Sequence, residues 1–280
     1  MNLKSIFCVK SLLLVGSFAV LVACKKENTI VTEDPTTEST AISTSANDDN
    51  TADAAFMDLK EITDQTGLEP TTKSLDSAKS TFPKITVVKD STSSTLIATV
   101  DFGTQNFMCK DGKNRRGKIQ VKIMGNKSIV GSTLVYTAVD YFVNDNGVSG
   151  TKTLTVVDNH SFRIVVVNGK VTKANGGIIT WNTDRTRTMT FGFASKEDPL
   201  DDVFEVSGIT SGINAAGNAY KFTTLTPLVK AKACQWIKAG QLKIERAGKL
   251  DATIDYGNGT CDDQATVTIG AKTIAITLKK

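Results

Sequence analysis

From about Thr81 to the end of the chain, apolar and polar residues alternate. Leu250, Ala252, Ile254 and Tyr256 fall on one side, and Asp251, Thr253 and Asp255 on the other. Ala265, Val267 and Ile269 repeat the pattern, as do Ile274, Ile276 and Leu278. A period of two is that of a strand with one dry face and one wet face. The runs are punctuated by Asp111-Gly112, Asn146-Gly147, Asn168-Gly169, Gly217-Asn218 and Gly257-Asn258-Gly259. Such pairs readily take the positive φ that tight hairpins need. The pattern therefore predicts an all-β antiparallel meander of roughly 11–13 strands, forming a curled sheet or sandwich. Two runs read differently. Leu134 to Val143 is apolar on both faces, which predicts cover on both sides. Ile178 to Phe193 is interrupted by Arg185 and Arg187 on the face of Ile179 and Trp181, which predicts a turn at Asn182 to Thr186.

Ahead of the strands the period changes. Ala52, Ala55, Phe56, Leu59 and Ile62 share one helical face, predicting a short helix at about 51–66. Asn50 or Thr51 caps its start, and Gly67 with Pro70 ends it. Residues 25 to about 50 are rich in Thr, Ser, Asp and Glu. So little apolar surface does not offset ordering entropy, and the expectation is a disordered tether. The boundaries expected are thus a leader at 1–23, a tether with its helix at 24–80, and a β domain at 81–280.

Charge divides along the same line. Residues 25–80 hold twelve acids and five bases, a net of minus seven; residues 81–280 hold seventeen acids and twenty-six bases, a net of plus nine. The formal net of +4 averages two unlike parts. The densest basic group, Lys110, Lys113, Arg115, Arg116 and Lys118, reads as one exposed turn.

The first residues carry Lys4 and Lys10 and no acid, and Leu12 to Val22 is almost wholly apolar. That is the pattern of a secretory signal sequence, too short for a membrane span. Leu21-Val22-Ala23-Cys24 resembles the lipobox of bacterial lipoproteins. The resemblance implies cleavage before Cys24 and acylation of its sulfur and new amino terminus, which together hold a protein on a bilayer. Lys25, in place of an Asp, implies the outer membrane, facing the periplasm or the cell surface. Nucleic acid is not expected as a partner there; an envelope glycan, lipid or protein is.

Of the five cysteines, Cys8 leaves with the leader and Cys109, Cys234 and Cys261 remain in an oxidising compartment. If residues 234–246 and 250–261 form a hairpin about Ala247 to Lys249, paired positions sum to about 496. Cys234 then faces residue 262, one step from Cys261. A disulfide between them is expected, with two buried free thiols as the alternative.

Asp101-Phe102-Gly103, continuing through Asn106, Cys109, Asp111-Gly112, Arg116 and Gly117, resembles a segment of uncharacterised Bacteroidota-type outer-membrane lipoproteins. Asp255-Tyr256-Gly257-Asn258-Gly259-Thr260-Cys261-Asp262 resembles the same family's closing hairpin. The resemblance implies a β-rich envelope domain and supplies no catalytic residues.

The residue types argue against an enzyme. His160 is the only histidine, which excludes a zinc site built on several histidines, and no G-x-S-x-G elbow accompanies any serine. Asp198, Asp201, Asp202, Glu205, Asp255, Asp262 and Asp263 cluster in turns. Asn144-Asp145-Asn146-Gly147 echoes part of a calcium loop without its downstream Glu. No cofactor or metal is expected. The expected role is non-catalytic, structural or interactive, at the outer membrane. A glycan- or lipid-binding module is the alternative, with Trp181, Arg185 and Arg187 as its candidate ligand-binding residues; a hydrolase is the least favoured.

Overall fold

The computed structural model describes residues 34–65, 83–89, 95–125, 129–194 and 199–278. The leader, Cys24 and residues 66–80 lie outside them. One helix, α1 (Pro35–Gln65), is followed by strands β1 (Lys84–Lys89), β2 (Thr95–Asp101), β3 (Phe107–Met108), β4 (Asn114–Met124), β5 (Thr133–Val143), β6 (Asn146–Val156) and β7 (Ser161–Thr172). Then come β8 (Ile178–Phe191), β9 (Val203–Ile213), β10 (Ala219–Ala231), β11 (Ile237–Glu245), β12 (Ala252–Asn258), β13 (Gln264–Ile269) and β14 (Lys272–Thr277). The strands make one antiparallel sheet in sequence order, with only the short β3 off the path, paired to β4. The sheet is open, and β1 and β14 are its ends.

The helix corrects the expected tether. It starts at Pro35, so residues 35–50 are helical, and it spans about 46 Å at the usual rise. Asp34 caps it, accepting from the amide of Thr36 at 2.8 Å, and Pro35 stands at the first helical position, where its missing N–H costs nothing. Ile42, Ala46, Ala52, Ala55, Phe56, Leu59 and Ile62 are buried. The helix packs on β5, β6, β7 and β8 and, across the groove, on β13 and β14. Its first half joins an apolar cluster with Phe222, Ile244, Ile254 and Val267; its second half joins another with Val121, Tyr136, Val166 and Trp181. The helix is therefore the core around which the sheet bends.

Bulges make that bend. Gly117 has φ +85°, and a Cβ there would stand 2.0 Å from the carbonyl oxygen of Asp140, itself at φ 47°. The β5–β6 register shifts between Thr137 and Tyr141. The shift changes which side chains point inward: Leu134 and Tyr136 are buried before it, Tyr141 and Val143 after it. Two apolar faces in the sequence are one inner face whose phase slips, so the cover expected on both sides of this run is not needed. The β8 strand is likewise unbroken from Ile178 to Phe191, with no turn at Asn182 to Thr186. In β11–β12 the pairs Gln241 with Asp255 and Ile244 with Ala252 both sum to 496, as the hairpin reading required. Cys234 and Cys261 form a disulfide and Cys109 is a buried free thiol.

Candidate functional site

The charged residues of the helix and sheet meet along a buried seam. Asp58 accepts from Arg115 Nε at 3.0 Å and Nη2 at 2.5 Å, from Lys113 at 2.8 Å and from the Tyr141 hydroxyl at 2.7 Å. Asp111 closes the other side of the Arg115 guanidinium, at 2.8 and 2.6 Å. Arg116 pairs with Asp145 and lies over the Phe142 ring; Lys118 pairs with Asp101. The basic group at 110–118 is thus not a single exposed turn: its centre, Arg115, is fully buried. Burial alone would raise the Asp58 carboxyl, but the hydrogen bonds and charges of Arg115 and Lys113 hold it below the ordinary carboxylate range.

Further along the helix, Asp49 accepts from Trp181 Nε1 at 2.7 Å and from Arg185 at 2.8 Å, while Phe56 stacks on the Trp181 ring at 5.4 Å. Asp53 takes Lys230 at 2.6 Å and faces Arg185 at 3.7 Å. Desolvation opposes its charge, yet Lys230 and Arg185 hold its carboxyl far below the usual range. Asp48 takes Lys173 and the amide of Ala215, and Glu38 takes Arg246 and Lys249. Lys152 is the exception to this matching. It is fully buried, donates to the Phe56 carbonyl at 3.0 Å and, among the described residues, meets no carboxylate within salt-bridge distance, and burial lowers its ammonium to about 7.

Two of the three expected ligand-binding residues, Trp181 and Arg185, are therefore consumed in the seam. Arg187 is not. It lines a cavity of about 530 Å³ beside the helix, bounded by Asn47, Asn50, Thr51 and Glu61 of α1 and by Lys113, Asn144, Asn146, Lys230, Lys232 and Trp236 of the sheet and its loops. That volume is in the range of small-ligand sites, about 300–1,000 Å³. The Arg187 guanidinium lies 3.7 Å from the Phe204 ring centroid, and its Nε is buried without a hydrogen-bond partner among the described residues. Lys230 and Lys232 escaped the sequence reading because they sit at the end of β10, remote in sequence from the helix they face. Their alternation with Ala231 was the only local signal. Asp255 and Asp262 border a second, open depression of about 360 Å³, where each accepts a nearby backbone amide. Among the described residues no group of three or more His, Cys, Asp or Glu side chains is placed to hold a metal.

A second surface feature lies at one end of the sheet. Ile129, Val130, Val157, Phe191, Phe193 and Leu200 are exposed on three hairpin tips. The tips touch: the Gly131 amide donates to the Val156 carbonyl at 2.9 Å, the Met189 amide to the His160 carbonyl at 2.8 Å, and the His160 ring meets Phe193 edge-on at 4.7 Å. The lone histidine thus sits within an apolar ridge. Comparisons with protein-family models, with curated proteins and with solved structures find no match to this chain.

Proposed function

We propose that the protein is a lipid-anchored envelope protein of the Bacteroidota outer-membrane lipoprotein type, attached through acyl chains on Cys24, with a non-catalytic interaction role. The apolar tips support the interaction role, because several large apolar side chains left in water on touching hairpins mark surfaces that meet other molecules. The seam supports the absence of catalysis: Glu38, Asp48, Asp49, Asp53 and Asp58 are each engaged by sheet cations or amides that fix the helix. Only ten residue steps, across nine intervening residues, separate Cys24 from the helix cap Asp34. Fully extended they reach about 33–36 Å, so the domain stays close to the bilayer that anchors it.

Two measurements on the full chain in its own envelope test the reading. Palmitate labelling is expected in the native chain and lost in Cys24→Ser, which moves to the soluble fraction; label surviving that substitution contradicts the anchor. Chemical crosslinking is expected to give a defined complex that Phe191→Ser with Leu200→Ser removes. An unchanged crosslink would take the interaction away from the ridge.

A second reading, a glycan- or lipid-binding module, is favoured by the 530 Å³ cavity. Its chemistry follows.

A further inference from the structure

The cavity beside α1 is lined by four cations, three carboxylates and several side-chain amides. The Asn144 side-chain carbonyl already accepts from the Asn114 amide at 2.9 Å, and that of Asn146 from the Ala174 amide at 3.0 Å. Each asparagine also carries an NH₂ group that can donate, beside the second lone pair of its carbonyl. Arg187 adds a guanidinium whose Nε, among the described residues, is buried without an acceptor and whose Nη1 meets the Met57 sulfur at 3.6 Å. Sulfur is a weak acceptor, so this guanidinium lacks the strong one that buried donors normally have. Of the acids whose charge reaches it, Asp53 is held by Lys230 and Arg185, while Glu61, which lines the same cavity, and Asp202 make no hydrogen bond or ion pair with it among the described residues. Lys232 stands beside the site with Asp202 at 3.6 Å. The indole of Trp236, half-buried against the second apolar cluster, gives the wall a flat apolar face.

We propose that this cavity binds an acidic saccharide: a hydroxyl-bearing ring that stacks on Trp236, accepts from the Asn144 and Asn146 amides, and places a carboxylate against Arg187. The proposal rests on the ligand-binding reading and names its ligand class. A fatty acyl chain would leave the donor groups without acceptors, and a neutral sugar would leave Arg187 as it is. A ring carrying a carboxylate meets both requirements.

Nuclear magnetic resonance of the two indole N–H groups tests this directly. Trp181 donates to Asp49 inside the core and serves as an internal control for folding; Trp236 lines the cavity. The probes are D-glucuronate, D-glucose and acetate, each added to the soluble mature domain with Cys24→Ser. Glucuronate is expected to shift Trp236 saturably and leave Trp181 in place, with glucose and acetate each binding at least about tenfold more weakly. Arg187→Gln is expected to bring glucuronate down to the level of glucose, and Arg187→Lys to fall between. Acetate acting as well as glucuronate would overturn the proposal in favour of a bare anion site. Glucose acting as well as glucuronate would overturn the acidic preference and leave a saccharide site standing. A silent Trp236 with all three probes, in a domain whose Trp181 signal is native, would overturn both the proposal and the reading beneath it.

Discussion

Asp58 is the residue on which most of the buried charge converges, with Arg115, Lys113 and Tyr141 all donating to it. Removing it leaves the Arg115 guanidinium fully buried, with Asp111 as its remaining carboxylate partner. Asp58→Ala is expected to lose about 3–5 kcal/mol in urea titration; a loss below about 1 kcal/mol would mean that the seam contributes little. The pH dependence has two arms of different origin. Asp53, Asp58 and Glu38 have carboxyls lowered in the fold against the desolvation that opposes their charge. Their stabilisation is complete above the unfolded values of about 4 and is lost as pH falls through the folded ones, so the unfolding free energy should decline below about pH 4. Lys152 behaves oppositely. With its folded value near 7 against about 10.4 unfolded, the unfolded chain holds a proton that the folded chain lacks between those limits. Stability from this residue therefore rises from pH 7 towards pH 10 and is lower, and flat, below 7. Lys152→Met should abolish that rise in urea titrations at pH 6.5, 8 and 9.5, and an unaltered slope would assign it to another group. None of this was visible in the residues by themselves. Lys152 is in phase with the buried Leu154 and Val156, and only the helix laid across the sheet, whose Phe56 carbonyl it meets, shows what a lysine does on that face.

At the scale of elements, legibility followed apolar periodicity and failed where polar side chains point inward. The second half of α1 was readable from Ala52, Ala55, Phe56, Leu59 and Ile62, all of which are buried. Its first half buries Glu38, Ser39, Ser45, Asp48 and Asp49 instead, so the same helical spacing carried a polar signal and resembled a tether. The cap was nonetheless written there, as Asp34 followed by Pro35. β8 shows the same effect in a strand: Thr183 and Arg185 are buried on the inner face beside Ile179 and Trp181, and were read as a break. The β11–β12 hairpin was legible near its turn, where the strands alternate, but not the one-residue register shift between Ala239 and Gln241. Its disulfide joins positions separated by 27 residues. Reducing it should cost about 3–4 kcal/mol, seen as a lower urea midpoint under reducing conditions; an unchanged midpoint would show that the hairpin holds without it. The bulges were not legible, since Gly117 acquires its constraint from Asp140 on the neighbouring strand. Gly117→Ala, which drives a Cβ into the Asp140 carbonyl, is expected to destabilise by more than about 2 kcal/mol. A neutral result would show that this crossing of β4 and β5 relaxes freely.

At the scale of the whole molecule, the sheet stays open and its inner face is closed by the chain's own amino-terminal helix. Neither apolar cluster closes by sheet packing alone: Phe56 and Leu59 belong to one, Ile42 and Ala46 to the other. The element nearest the proposed lipid anchor is thus also the centre of the core, so an anchor on Cys24 would stand ten residue steps from the folded body. The all-β class and meander order were legible from alternation and from turns such as those at Asp111-Gly112 and Gly217-Asn218, although Asn146-Gly147 and Asn168-Gly169, read as reversals, lie within β6 and β7. That the helix would thread the sheet was not, because the acids on one and the bases on the other lie up to 208 residues apart, as Glu38 and Arg246 do. Hydrogen–deuterium exchange of the mature chain tests this arrangement most directly, read on peptides covering residues 42–62. The account predicts protection there as strong as in β8 and β11, released only with global unfolding. Exchange of those amides within seconds, while the strands remain protected, would contradict it.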